Sequence, residues 1–296
     1  MDEFKVILKA RQFLRDAKIQ SAPVDIERLA DKARAKIKVR HDLRDDEAGQ
    51  TFSLPGKNII IVNGNHRKER QRFTVLHEIA HIVLDLPSQH GSAGLSIGHL
   101  LSYQSRPPEE VLCDVFAAEC LLPYDLFRPD VEEADVSFAA IKELAEHYEA
   151  SITSTGSRFA LCCDEPCAFV LMEASRVRYV SSSKHLREQK GWIEIGCAVP
   201  EGSAASRLLQ NASDTEAVDD VPRDVWFTSG MTRYAAVVEE ALALREWDQC
   251  LSLISVERSG ATTGSARFLA VDDDDEEPLL EELDGELPWP SKKRRR

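Results

Sequence analysis

The hydrophobic pattern changes period several times along the chain. Val6, Ala10, Phe13, Leu14 and Ala17 recur at helical spacing. After a break near Pro23, Asp25-Ile26-Glu27-Arg28-Leu29-Ala30 opens a second repeat behind an aspartate that can cap it. From Ile37 to Asn63 the pattern becomes strand-like. Ile37 and Val39, then residues 51–54, a Pro55-Gly56 turn and the apolar run 58–63 predict a small antiparallel sheet. Residues 67–86 predict one helix, with Phe73, Leu76, Ile79, Ala80, Val83 and Leu84 as its apolar stripe and Pro87 as its stop. A loop rich in Gly, Ser and Pro follows, from 88 to 108. A second apolar-faced helix is expected over 109–122, ended by Pro123. A helix pair is expected at 137–149 and 151–160, with Ser137 and Ser151 as N-caps. Beyond residue 168, strands are predicted at 169–172, 177–180, 192–195 and 251–256, and a helix at 232–246.

These changes divide the chain into 1–123, a helical and helix-turn-helix-like segment 124–165, a mixed α/β domain 166–271 and a charged tail 272–296. The tail opens on six consecutive acids, 272–277, and ends in a basic run, 292–296, a composition that predicts a solvated, disordered segment.

Charge narrows the function classes. The chain has 296 residues, 37 Lys and Arg against 51 Asp and Glu, and a formal net charge of −14. That balance argues against direct nucleic-acid binding and against docking on an anionic membrane. The longest apolar runs are strand-sized, and the charged first residues lack a signal-peptide core, so a cytoplasmic protein is expected. Seven scattered cysteines fit reduced thiols better than a disulfide framework. Among them Cys162, Cys163 and Cys167 have no second ligand pair at metal-site spacing, so buried thiols are expected there.

The sharpest chemical signal lies in the 67–86 helix, where Leu76-His77-Glu78-Ile79-Ala80-His81 spells H-E-x-x-H. On a helix, residues i and i+4 share a face, so His77 and His81 can reach one ion. Zinc accepts two neutral imidazoles, and Glu78 sits beside them, placed to act on a water as general base. The third ligand should come from the 109–122 helix, leaving the fourth position open. There Glu110 and Asp114 are four apart. This relation favours Glu110 as the ligand, with Glu109 as its competitor, and lets Asp114 accept the free ring N–H of His77 from outside the ligand set. One Zn2+ per chain is the implied cofactor. Tyr103, His90 and His99, in the loop between the motifs, are candidate donors to the oxyanion of the transition state. The strand 59–63 could add an extended substrate to the sheet edge.

The stretch from Arg72 to His81, followed by Glu110-Val111-Leu112-Cys113-Asp114-Val115-Phe116-Ala117-Ala118-Glu119-Cys120-Leu121-Leu122-Pro123, resembles the ImmA/IrrE family of zinc metallopeptidases, over roughly residues 1–160. The resemblance implies an α+β, minimal gluzincin-like zincin domain. It maps His77, His81 and Glu110 onto zinc ligands and Glu78 onto the catalytic glutamate. It further implies cleavage of a helix-turn-helix transcriptional repressor, relieving repression of DNA-damage, stress or mobile-element genes. In the family's radiation-response branch a helical linker and a GAF-like domain follow the peptidase, and this chain has a comparable order, although its second half carries no motif of that domain. The competing class is a non-catalytic zincin-fold regulator that binds a repressor and senses a ligand through its C-terminal domain. The intact Glu78 argues against it. Residues 124–160 carry eight acidic residues against three basic ones, so a structural cover or a repressor-docking surface is expected there, not a DNA-reading helix.

Overall fold

Asp2 opens the first helix, α1 (Glu3–Asp16), by accepting the backbone N–H of Lys5, and Asp25 does the same for Arg28 at the head of α2 (Ile26–Lys32). Both helices turn their apolar stripes inward: Val6, Ala10, Phe13 and Leu14 from α1, Leu29 and Ala30 from α2. In the computed structural model, residues 2–54, 56–87, 107–211 and 213–256 are described, all within one compact unit.

Three strands follow, β1 (Ala35–Arg40), β2 (Gly49–Leu54) and β3 (Lys57–Asn63). The expected purely antiparallel sheet is corrected to a mixed one. β2 and β3 form an antiparallel hairpin around Gly56 (φ 76), but β1 pairs with β3 in parallel, so the order is β1-β3-β2. The most apolar strand takes the middle, and the chain reverses through 41–48 to lay β2 on its far side. Asn63, fully buried at the end of β3, pins that crossing by donating to the carbonyls of Arg44 and Glu47. β3 is therefore bonded on both edges and has no free edge for a substrate. Among the described residues the free edges belong to β1 and β2.

Helix α3 (Lys68–Leu84) lies across this sheet and ends at Asp85, whose left-handed backbone (φ 54) closes the last turn before Pro87 is reached. Helix α4 (Pro108–Leu121) begins on a proline at its first position and packs on α3 and α1. Three further helices, α5 (Tyr124–Glu133), α6 (Phe138–Tyr148) and α7 (Ile152–Cys162), form the helical segment, and Ser137 and Ser151 cap the last two as expected. The buried carboxylate of Glu119 on α4 joins Arg11 of α1 (2.8 Å) and Arg158 of α7.

The C-terminal half is antiparallel throughout. β4 (Cys167–Glu173), β5 (Arg176–Ser182), β6 (Glu216–Pro222), β7 (Ala236–Leu244) and β8 (Gln249–Ser255) form one sheet in the order β5-β4-β8-β7-β6. Short helices α8 (Lys184–Glu188), α9 (Ala204–Gln210) and α10 (Arg223–Trp226) accompany it. Two expectations fail here. Residues 232–246, expected as a helix, contain β7. Its alanines and glutamates favour helix locally, but Val237, Glu239 and Ala241 all point to one buried face of a strand held between β6 and β8. The strand expected at 192–195 is a loop, with Trp192 and Ile195 exposed and Ile193 packed against the second core of the sheet.

The sheet is buried on both faces. Phe169, Leu171, Leu242, Leu251 and Leu253 face the helices and join the core that extends to α1, α3 and α4. Ala168, Val170, Met172, Ala241, Cys250 and Ile254 face a second core closed by Ala204, Ala205, Leu208 and Trp226. Helix α7 approaches β4 so closely that a Cβ on Gly156 would meet the Phe169 ring at 2.3 Å. Cys162, Cys163 and Cys167 sit at this α7–β4 junction as buried free thiols, as expected. Among the described residues no helix is long and apolar enough to cross a membrane.

Candidate metal centre

The metal-ligand candidates are placed by two helices that cross with buried faces in contact. α3 contributes His77 and His81 one turn apart, and α4 contributes Glu110 from its first turns. All three are buried, and Glu110 is the α4 carboxylate that reaches the histidines, whereas Glu109 is only partly buried and is not in the cluster. His77 Nε2 lies 3.1 Å from His81 Nε2 and 3.1 Å from Glu110 Oε2, and His81 Nε2 lies 3.6 Å from Glu110 Oε1. Donor atoms about 2.0–2.1 Å from one zinc ion in tetrahedral array sit roughly 3.4 Å apart. The three side chains already hold nearly that spacing.

The opposite ring nitrogens explain why both Nε2 atoms converge. His77 Nδ1 is 2.9 Å from Asp114 Oδ1, and His81 Nδ1 is 3.3 Å from the Leu86 carbonyl. In the neutral rings an N–H at each Nδ1 donates outward, which leaves a lone pair on each Nε2 for a metal. Asp114 thus stands where the i+4 relation to Glu110 placed it. Burial is the largest influence on His77 and lowers its pKa, yet the hydrogen bonds that the ring donates to the Asp114 and Glu110 carboxylates, with the fields of Asp114 and Glu78, outweigh it and hold the pKa up at about 9. The centre is an electronegative pocket in which positive charge is favoured.

Glu78 is fully buried, and neither of its carboxylate oxygens has a hydrogen-bond partner among the described residues. A buried carboxylate without donors is costly, and a protein keeps one where something absent from the polypeptide completes it. The donor set, its spacing and this orphaned carboxylate together fit a zinc ion and an attacking water.

Sequence reasoning missed the close approach beside this centre. A Cβ on Gly49 of β2 would lie 2.6 Å from Thr74 Cγ2 and 2.7 Å from the Ile61 carbonyl. Only glycine lets the edge strand run this close to α3, one turn before His77. A glycine that opens a strand was the available signal. His90, His99 and Tyr103 lie outside the described residues.

Two helices that present two histidines and a glutamate behind a small mixed sheet define a zincin-like metal centre. Residues 32–159 match the family model for the IrrE N-terminal-like domain of the M78 peptidases. The radiation response metalloprotease IrrE of Deinococcus radiodurans is 36% identical over 107 residues, 34% of this chain and 30% of that protein. Its namesake from Deinococcus deserti is 32% identical over 171 residues, 55% of this chain and 50% of that one. This segment is similar to the IrrE N-terminal-like domain of the M78 peptidases, and the matched stretches span half or less of each relative's length. A Mycobacterium tuberculosis transcriptional regulator shares the fold, with a TM-score of 0.56 over 85% of this chain and 76% of that one at 14% identity.

Proposed function

We propose that the chain is a zinc-dependent endopeptidase that hydrolyses a peptide bond in a helix-turn-helix transcriptional repressor and so relieves repression. The observation that carries this reading is the buried, unpartnered Glu78 carboxylate beside the convergent His77, His81 and Glu110. A site kept only for structure or for binding would not retain a charge there without donors. His77, His81 and Glu110 would hold the metal, with Asp114 fixing the orientation of the His77 ring. When bound, zinc supplies a lowered water pKa and polarisation of the scissile carbonyl. Glu78 takes the proton of the attacking water and passes it to the leaving amine nitrogen. The edge of β2, brought against α3 at Gly49, is the strand on which an extended segment of the repressor pairs.

The partner is a protein, without direct contact to nucleic acid or membrane, and the setting is the cytoplasm. The segments 1–123, 124–165 and 166–271 act as peptidase, helical linker and GAF-like domain. The antiparallel five-stranded sheet with its flanking helices supports the last assignment. The same chemistry in a stress or DNA-damage response follows from the family's radiation-response members.

The test is direct. Purified protein is loaded with zinc, its metal content measured, and wild type and Glu78→Gln incubated with candidate helix-turn-helix regulators. The expected outcome is about one zinc per chain in both, specific cleavage by wild type and none by the variant. Equal relief of repression in cells by wild type and Glu78→Ala would instead support a non-catalytic regulator.

A further inference from the structure

The first turns of α3 break the local rules for starting a helix. Arg67 stands at the N-cap position with no side-chain capping bond, and Lys68, Arg70 and Arg72 follow, with Glu69 the acid of the first turn. Cations at a helix N-terminus oppose the helix dipole, and an arginine cap leaves amide N–H groups unsatisfied. On local grounds this end of α3 should fray.

Three of these four cations, Arg67, Lys68 and Arg72, are taken up from elsewhere in the fold. Arg67 Nη2 lies 2.7 Å from Glu246 Oε2, and its guanidinium stacks 4.6 Å from the centre of the Trp247 ring. Glu246 and Trp247 form the 3-10 turn Arg245–Trp247 that joins β7 to β8. Lys68 and Arg72 both pair with Glu149, the left-handed residue (φ 51) that closes α6, and the second Arg72 Nη donates to the Val24 carbonyl at 2.7 Å. Two separate elements from the second half of the chain therefore grip one end of the helix that carries His77 and His81.

We propose that Arg67 is a positioning residue for the metal centre: through the β7–β8 turn, the C-terminal sheet latches the first turn of α3 and holds the helix in its place against α4. His77 lies ten residues further on, about 15 Å along the helix axis, so rotation or fraying at Arg67 is passed to the ligand face along a rigid rod. The inference rests on the metal-centre reading for its consequence, and on the contacts themselves for the latch.

The latch and ordinary helix capping predict opposite signs for one substitution. Serine is a favoured N-cap, so on helix physics alone Arg67→Ser should slow amide exchange at residues 68–72. With the latch it should accelerate exchange there by about tenfold, the loss expected for an ion pair and a cation–π contact together. The double variant Glu246→Ala/Trp247→Ala should do the same from the other side. These side chains are largely exposed (Arg67 64%, Glu246 70%), so the variants should still fold, with only a small drop in unfolding midpoint. Both should bind zinc several-fold more weakly than wild type in chelator competition. Slower or unchanged exchange in Arg67→Ser, unchanged exchange in the double variant, or faster exchange with wild-type zinc affinity overturns the proposal. If wild type itself binds no zinc, the metallopeptidase reading falls, and the positioning role falls with it. In that case the exchange data still report whether the latch exists.

Discussion

Glu78 and Glu239 are both fully buried, and they could hardly be treated more differently. Glu239, on β7 in the C-terminal sheet, receives four donors: the amides of Ala204 and Ala205 at 2.8 and 3.1 Å, the Trp226 indole at 2.8 Å and the Ser252 hydroxyl at 2.7 Å. Glu78, on α3 in the N-terminal half, receives none from the described residues. The first carboxylate ties α9, α10 and β8 to β7 and is an element of folding. The second is left for something outside the chain. Burial alone does not identify a functional acid; the state of its hydrogen bonds does.

Exchanging each acid for its amide should give crossed results. Glu78→Gln should cost roughly two to four orders of magnitude in cleavage rate, the usual worth of a general base, while the metal stays bound. It should leave folding stability unchanged or raised, because it removes an unsatisfied charge. Glu239→Gln puts an NH2 where four donors point, and it should lower unfolding stability by about 2–4 kcal/mol. Chemical denaturation of the two variants side by side measures this. A Glu78→Gln variant that unfolds as easily as Glu239→Gln would erase the distinction.

The comparison sharpens one step outward. Asp114→Asn keeps the shape beside His77 but takes away the negative oxygen that holds the ring, and it should weaken zinc binding by about 10–100-fold. In the sheet half the matching test is Gly156→Ala. Helix propensity favours alanine by about 1 kcal/mol, yet its Cβ would meet the buried Phe169 ring at 2.3 Å. Overpacking should win, with a net loss of about 1–3 kcal/mol in denaturant unfolding. A gain in stability would show that the ring has room to move.

The two halves also differ in how much their residues announce. In α3 and α4 the apolar stripe, the H-E-x-x-H spacing and the i+4 pair Glu110 and Asp114 are local patterns of one helical period, so the convergence of His77, His81 and Glu110 was legible before any fold was known. The sheet half hid its logic in pairings distant in sequence. β7 carries helix-favouring Glu239-Glu240-Ala241-Leu242-Ala243, and only its place between β6 and β8 makes it a strand. β6, with Asp219 and Asp220 in its middle, carries too little apolar character to be read as a strand at all. The parallel pairing of β1 with β3 was equally invisible, because direction depends on where the 41–48 crossing lies and not on the residues of either strand.

The smallest effect concerns the contact that ties the helical segment to α3. Glu149 is held below the usual carboxylate range first by its hydrogen bond to Lys68, against the opposing effect of burial, and then by the charges of Arg72 and Lys68. A carboxylate whose folded pKa is depressed binds fewer protons in the folded state than in the unfolded one. Its stabilisation is therefore fully present above the unfolded value, near the ordinary 4.5, and is lost as the pH falls through the lower folded value. The pair is partly exposed, with the Lys68 side chain 70% accessible, and screening holds the contribution to about 1 kcal/mol or less. Wild type and Glu149→Gln should thus differ in unfolding midpoint at neutral pH, with wild type the more stable. The gap should narrow on acidification below the ordinary carboxylate range, and added salt should narrow it at neutral pH as well. A gap independent of pH would mean that Glu149 acts through its left-handed backbone at the α6–α7 turn, and that α3 is held from this side by the Arg72 bond to Val24 alone.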